Sequence, residues 1–335
     1  MQKKNLPPLF KEFTTLDENI LGVGHGNKWI RGDDTGEKAV VVLVRKKHNK
    51  ADLRRSQIVP TKVDGIPTDV IEVGDIRFFD ERTSYMRPAV PGTSIGHYKI
   101  SAGTFGAVVK DRSTGEALIL SNNHVLANLT DGLDGRAEAG DPILQPGIFD
   151  GGERDKTVIA NLARYVPLYR EMAPPQCPIA KLFERCMNAC VGYFRPYYKV
   201  QLLRDNDKVN LVDCAVAKPV DASLIKSDIM EIGPVAGKQQ PYVGMGIKKS
   251  GRSTGLTYSI VFAVDVTVKV FMTGREYGIF SDQIIAGPMS MPGDSGSLIL
   301  TEDNYAVGLL FAGSEQSTIF NRLDNVLDAL NIDLQ

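Results

Sequence analysis

The chain is poor in the residues that mark a specialised class. Four cysteines (Cys177, Cys186, Cys190, Cys214) in 335 residues are too few for a disulfide framework. The four histidines (His25, His48, His97, His124) form no HxH or HxxxH pair, so a zinc enzyme is not expected. Cys186 and Cys190 stand one helical turn apart, but without a histidine near them buried thiols are the expected reading. No metal and no other cofactor is expected. Neither sign of charge dominates, with 39 Lys and Arg against 40 Asp and Glu. That balance removes the basic excess expected of a nucleic-acid binder, and no charged tail suggests disorder. No run approaches the ~18 consecutive apolar residues of a membrane span. The opening MQKKNLPPLFKEF is interrupted by Pro7, Pro8, Lys11 and Glu12 before a signal-type apolar segment forms. A soluble, cytoplasmic chain with no membrane and no nucleic-acid partner is the expectation.

What the sequence does contain is core material and turns. Hydrophobic residues make up 43%, and 32 glycines and 18 prolines accompany only 7% aromatics, which points to a β-rich fold. Residues 20–76 read as a small α+β module. Gly22-Val23-Gly24-His25-Gly26 lacks the strand, the helix and the closing glycine of a nucleotide loop and is expected to be a plain turn. A further turn is expected at Asp33–Gly36. Lys38–Val44 and Thr68–Val73 read as strands, with a polar helix over 50–57. Arg87-Pro88 to Pro91-Gly92 reads as a linker, giving a module at 1–90 and a main domain at 91–335.

From residue 100 onward, short apolar strands alternate with turns. Gly103–Lys110 and Ala117–Leu120 form a hairpin about Ser113-Thr114-Gly115, and more strands are expected at 209–217, 241–248, 256–271, 283–286, 297–300 and 305–312. Gly251–Gly255 reads as a hairpin turn. Residues 127–157 read as a Gly- and Asp-rich loop, within an insertion over 127–195 that also holds a helix over 176–192. That helix carries Ile179, Leu182, Phe183, Cys186, Ala189 and Cys190 on one face, expected to pack and to cover or gate a cleft. A closing helix over 321–330 presents Leu323, Val326, Leu327 and Leu330. The fold class expected is mainly β, built on a β-barrel, with a small N-terminal α+β module and a C-terminal helix.

Three segments carry chemistry. In Met291-Pro292-Gly293-Asp294-Ser295-Gly296-Ser297 a serine sits between an acid and two glycines, directly before an apolar strand. A tight turn there would present Ser295 and let the N–H groups of Gly293 and Ser295 converge as an oxyanion hole. In Leu118–Leu126, His124 stands just past an apolar strand, a strand-end context that none of the other three histidines shares. In Val209–Ala217 one acid, Asp213, interrupts an apolar strand. A buried carboxylate is costly unless bonded, and holding the Nδ1–H of His124 would satisfy it.

The order His–Asp–Ser, with the strand-end His124-Val125, Val212-Asp213-Cys214-Ala215 and Gly293-Asp294-Ser295-Gly296, resembles the chymotrypsin/trypsin-fold serine peptidases over residues 100–320. Val63–Gly74 makes it most similar to the intracellular bacterial and plant narrow-leaf-type members. The resemblance implies a double β-barrel, with His124 as general base, Asp213 as orienting acid, Ser295 as nucleophile, and Gly293 and Ser295 as oxyanion donors. It implies a substrate pocket formed by Met289 and by Phe311, Ala312 and Gly313. Met289 stands where an acid would select Lys or Arg, so a small or medium apolar P1 residue is expected. No activation-type N-terminus is visible. A protein or peptide substrate is implied, a homo-oligomer is possible, and activity should rise with pH through about 6–7 as a histidine base becomes neutral. A latent scaffold on the same fold and an esterase using the same triad are the alternatives.

Overall fold

A computed structural model describes residues 6–30, 33–74, 81–175, 177–274 and 276–335. The chain divides into two compact units, Met1–Phe78 and Phe79–Gln335.

The first unit holds α1 (Leu6–Thr14), β1 (Ile20–Ile30), β2 (Asp33–Val44), β3 (Lys62–Val63) and β4 (Ile66–Glu72) in one sheet of order β1-β2-β4-β3. β2 and β4 run parallel, Val42 opposite Val70. Leu9 and Phe13 of α1 pack on Ile20 of β1 and on Val40, Val42 and Val44, the apolar positions that alternate along β2. The glycine-rich segment departs from expectation: Gly22–Gly26 is not a turn but part of β1, paired with Ala39–Leu43. The closeness is steric, since a Cβ on Gly22 would stand 3.1 Å from Leu43. Asp33–Gly36 likewise opens β2, and 50–57 forms two 3₁₀ turns, Lys50–Asp52 and Arg55–Gln57, in place of a helix.

The second unit is a double barrel. Its first half is β5 (Ser94–His97), β6 (Gly103–Thr104), β7 (Ala107–Asp111), β8 (Ala117–Ser121), β9 (Pro142–Leu144), β10 (Val158–Tyr165) and β13 (Ala215–Pro219), with α2 (Asn123–Leu126) after β8. β6 and β7 are two ends of one bent stretch, the former paired with β5 and the latter with β8. The pairings β8–β13, β13–β10, β10–β9 and β9–β5 complete a ring. Between β10 and β13 the chain leaves the barrel through a two-stranded ribbon, β11 (Met172–Ala173) with β12 (Arg204–Asp205), which carries α3 (Pro178–Phe194). The excursion is therefore narrower than the sequence suggested. Residues 142–144, read as loop, and 158–165, read only as part of the insertion, supply two barrel strands whose short, Pro-initiated or polar-interrupted segments give a weak alternation signal.

The second half comprises β14 (Gly237–Lys238), β15 (Gly246–Gly251), β16 (Gly255–Thr273), β17 (Glu276–Ala286), β18 (Leu298–Thr301), β19 (Tyr305–Gly313) and β20 (Thr318–Arg322). β15-β16-β17-β20-β19-β18 closes on itself through β18–β15, a six-stranded antiparallel barrel, and β14 adds to β19 outside it. The two rings give the chymotrypsin-like double barrel. Gly251–Gly255 is the β15–β16 hairpin, as its sequence suggested. α4 (Leu323–Leu330) buries Leu323, Val326, Leu327 and Leu330, and left-handed Asn331 ends it before β21 (Ile332–Leu334) adds to β7. One core joins α4 to both barrels through Leu120, Val216, Leu298 and Leu309. All four residues of β18 are buried, the expected pattern for a continuous apolar run between two packed layers.

Candidate active site

Strand register brings His124 and Asp213 together. Ala215 of β13 lies opposite Ser121 of β8, so the residues just before β13 lie beside those just after β8. Asp213 thus stands in the approach to a strand, not within one, because β13 begins only at Ala215. His124 Nδ1 is 2.5 Å from Asp213 Oδ2, and His124 N donates to Oδ1 at 3.2 Å. A carboxylate only accepts, so Nδ1 carries the hydrogen, and in the neutral imidazole the lone pair then lies on Nε2. Nε2 has no protein partner among the described residues. The histidine side chain is 24% exposed and the acid 4%.

Two residues absent from the sequence reading hold Asp213 in place. Asn321 accepts from Asp213 N at 3.1 Å and donates to Asp213 O at 3.2 Å, and Asn122 donates to the same carbonyl at 2.7 Å. Both are fully buried. Nothing in a single sequence sets a buried asparagine apart from a surface one, and the two pairings join residues 91 and 108 positions apart. Next to Asp213, burial and the adjacent carboxylate push the Cys214 thiol well up, so it stays protonated and inert.

Ser295 reaches the same neighbourhood from the other barrel. Its carbonyl accepts from Thr104 N at 2.8 Å. A Cβ on Gly103 would meet Ser295 O at 3.1 Å and Val125 Cγ1 at 2.8 Å, so the serine turn and the residue after His124 converge on one glycine. A Cβ on Gly296 would likewise run into Ser121 Oγ and Thr104 O. Ser295 Oγ contacts the Phe311 carbonyl at 3.5 Å, the limit of a hydrogen bond.

The turn itself is fixed from several sides. Gly293 has φ +101°, which favours glycine. Ser253 Oγ donates to Pro292 O at 2.7 Å and Thr104 Oγ1 donates to Gly293 O at 2.9 Å, so both peptide planes around Gly293 are tied outward. Among the described residues no acceptor takes the N–H of Gly293 or of Ser295. Asp294 is fully buried and accepts from Met291 N (2.9 Å), Ser253 N (2.8 Å), Thr254 N (3.1 Å) and Thr254 Oγ1 (2.6 Å). Lys249 Nζ, also fully buried, lies 3.3 Å from Asp294 Oδ2. Desolvation lowers the Lys249 pKa, with Asp294 opposing that shift. The sequence does carry a signal for Lys249: in Gly246–Gly251 it shares the inward face of Ile247 by period-two alternation.

A cavity of about 410 Å³ opens beside His124 and Asp213 and is bounded by Phe311, Ala312 and Gly313. Met289 instead packs in the second barrel's core, 5% exposed, with its backbone bonded to Thr257 and Thr318. Beside Gly313 stands Ser290 Oγ, 2.8 Å from Thr318 Oγ1.

His97 corrects one sequence argument. It too ends a strand, β5, and its Nε2 lies 3.1 Å from Asp141, so a strand-end position is not unique to His124. The environments differ. His97 is fully buried, its Nδ1 accepts from Lys99 N at 3.2 Å, and burial lowers its pKa despite Asp141. Both ring nitrogens are thereby used, and His97 has nothing left for chemistry. The cysteines correct another: Cys177, Cys186 and Cys190 are exposed, and only Cys214 is buried.

No protein-family model matches the chain, and a search of curated sequences finds no match. Among solved structures it is similar to the Nocardiopsis protease NAPase, at 14% identity over 73% of this chain and 98% of that one, TM-score 0.45. Cellulomonas bogoriensis chymotrypsin gives 16% over 73% and 97%, TM-score 0.44. An alpha-lytic protease homolog, N4, gives 16% over 74% and 100%, TM-score 0.46.

Proposed function

We propose that the chain is a serine-type endopeptidase. Ser295 attacks the substrate carbonyl carbon while His124 Nε2 takes the hydroxyl proton. The tetrahedral oxyanion accepts from the N–H groups of Gly293 and Ser295. On collapse, His124 returns the proton to the leaving amine and an acyl-enzyme remains; water, deprotonated by the same imidazole, then releases the acid and restores Ser295. Asp213 stabilises the imidazolium and holds its tautomer. The observation carrying this reading is the 2.5 Å bond between a buried carboxylate and a part-exposed imidazole, beside a glycine-flanked serine turn.

A peptide-sized acyl group lying against Phe311–Gly313, with a small or medium apolar P1 side chain, belongs to the same proposal, and Met289 would stand under that pocket. So does membership of the intracellular bacterial and plant type, a setting suited by three exposed free thiols. The 1–90 segment is proposed as a separate module for recruitment or assembly, with the peptidase domain at 91–335. One observation favours the latent-scaffold alternative: Ser295 Oγ is turned toward the Phe311 carbonyl and must rotate before it can attack. Labelling with a fluorophosphonate tests both. The wild-type chain should label and Ser295→Ala should not, with unchanged far-UV circular dichroism. Labelling that persists in Ser295→Ala identifies another nucleophile, and an unlabelled wild type supports latency. Hydrolysis of small esters without peptide cleavage would indicate an esterase.

A further inference from the structure

Helix α3 is mounted with its polarity reversed. Its apolar positions form one face by 3.6-residue spacing, and that face was expected to pack. Instead α3 contains no buried residue: Ile179 is 78%, Leu182 61%, Phe183 56% and Tyr193 84% exposed. What holds the helix to the segment returning toward β12 is the opposite stripe. Asn188 Nδ2 donates to Val200 O at 2.7 Å, Asn188 Oδ1 accepts from Val200 N at 2.8 Å, and Glu184 accepts from Leu202 N at 3.3 Å. The polar side is thus committed inward and the apolar side is left to solvent, on an element set off from its barrel by the β11–β12 ribbon.

The charge of the segment says what covers that face. Residues 177–204 contain Lys181, Arg185, Arg195, Lys199 and Arg204 against the one acid Glu184, in a chain with 39 bases and 40 acids. Aromatic side chains gather at the helix end: Phe194, Tyr197 and Tyr198 are 71%, 96% and 69% exposed. A second copy of this helix would bring two segments of like charge together. An acid-bearing surface with an apolar interior matches both features at once. Apolar side chains enter the acyl boundary, amphipathic aromatics sit at headgroup level, and Lys and Arg stems extend to anionic phosphates. The helix has 17 residues, and no helix among the described residues is long and apolar enough to cross a membrane, so it would lie in the interface plane.

We propose that residues 177–204 form an interfacial anchor that lays α3 on an anionic lipid bilayer. The anchor is independent of the catalytic reading. It is tested by co-sedimenting the full-length chain with vesicles of phosphatidylcholine alone and of phosphatidylcholine mixed with phosphatidylserine. Binding is expected on the mixed vesicles, weaker on the neutral ones, and falling as salt is raised. Lys181→Gln and Arg185→Gln should each lower the partition coefficient on mixed vesicles about fivefold. Leu182→Ser with Phe183→Ser should abolish binding on both, with circular dichroism unchanged because both side chains are exposed. Absence of binding to the mixed vesicles, or binding unaltered in the Leu182/Phe183 variant, overturns the proposal. So does a self-association in sedimentation velocity that the same variant removes in a chain that ignores vesicles, which would assign the face to a second copy. Retention by an acidic polypeptide matrix without vesicle binding would assign it to an acidic protein.

Discussion

Replacing Lys249 by methionine tests whether a buried ion pair holds the serine turn ready. Methionine keeps most of the aliphatic stem and removes the ammonium, which in the native fold serves Asp294, the Gly255 carbonyl (3.0 Å) and the Thr254 hydroxyl. Breaking a buried pair by deleting one partner costs about 3–5 kcal/mol. Asp294 keeps four donors, from Met291 N, Ser253 N, Thr254 N and Thr254 Oγ1, so the loss should fall near ~3 kcal/mol. For a unit of this size that lowers Tm by roughly 6 °C. A double-mutant cycle with Asp294→Asn isolates the pair, and a coupling of about 1–3 kcal/mol is expected, with the double variant less damaged than the sum of the singles. Activity should fall further than stability does, by about 10²–10³ in kcat, because the loosened turn no longer aims the Gly293 N–H. The pH dependence has a definite sign. Desolvation lowers the Lys249 pKa in the fold, so below its ordinary 10.5 the unfolded chain binds more protons and stability rises with pH across that window. Lys249→Met should remove that rise. Additive single variants, or full labelling of Ser295 in Lys249→Met, would refute the reasoning.

Other perturbations address neighbouring parts of the structure. Gly103→Ala places a methyl between Val125 and the Ser295 carbonyl; a cost of about 1–3 kcal/mol is expected in urea unfolding, with labelling of Ser295 lost at temperatures where the fold persists. Asn321→Leu strips Asp213 N and O of a buried partner, and should slow turnover with little change in KM, since the substrate is not touched. Asp111 is held at about 2, below its ordinary 3.8, chiefly by the Thr114 N–H and the Arg164 guanidinium. Its stabilisation is present above pH ~4 and lost as pH falls toward 2, so Asp111→Asn should flatten the acid limb of a Tm-against-pH curve.

The parts of this fold that could be read in the sequence are those whose partners lie close by or whose pattern is unbroken. Ala117–Leu120, Leu298–Leu300 and Tyr305–Ala312 are apolar runs that only a buried strand accommodates, and α4 declares its stripe through Leu323, Val326, Leu327 and Leu330. The juxtaposition of His124 with Asp213 follows from a β8–β13 register that an ordered His–Asp–Ser reading anticipates without knowing the strands. Harder to read were β9 and β10, where Pro142, Asn161 and Arg164 break the alternation, and β1, where glycines that suggest a turn instead let Leu43 and Val41 pack across a sheet.

Lys249 and α3 expose the same limit from opposite sides. Periodicity reports which residues share a face but not which way that face turns, and the usual inference adds the assumption that apolar means inward. For Lys249 the alternation with Ile247 in Gly246–Gly251 marks the inward face, although its charge alone would argue for solvent. What makes it possible is Asp294, forty-five positions later, which no local pattern contains. For α3 the 3.6-residue stripe was equally sound, and its apolarity made outward placement look impossible. There the polar stripe lies inward, where Asn188 and Glu184 pair with the backbone of Val200 and Leu202. Orientation is therefore settled by hydrogen-bond supply and demand between distant segments, and both inversions fall where the fold departs from a plain barrel: at the serine turn and on the α3 excursion.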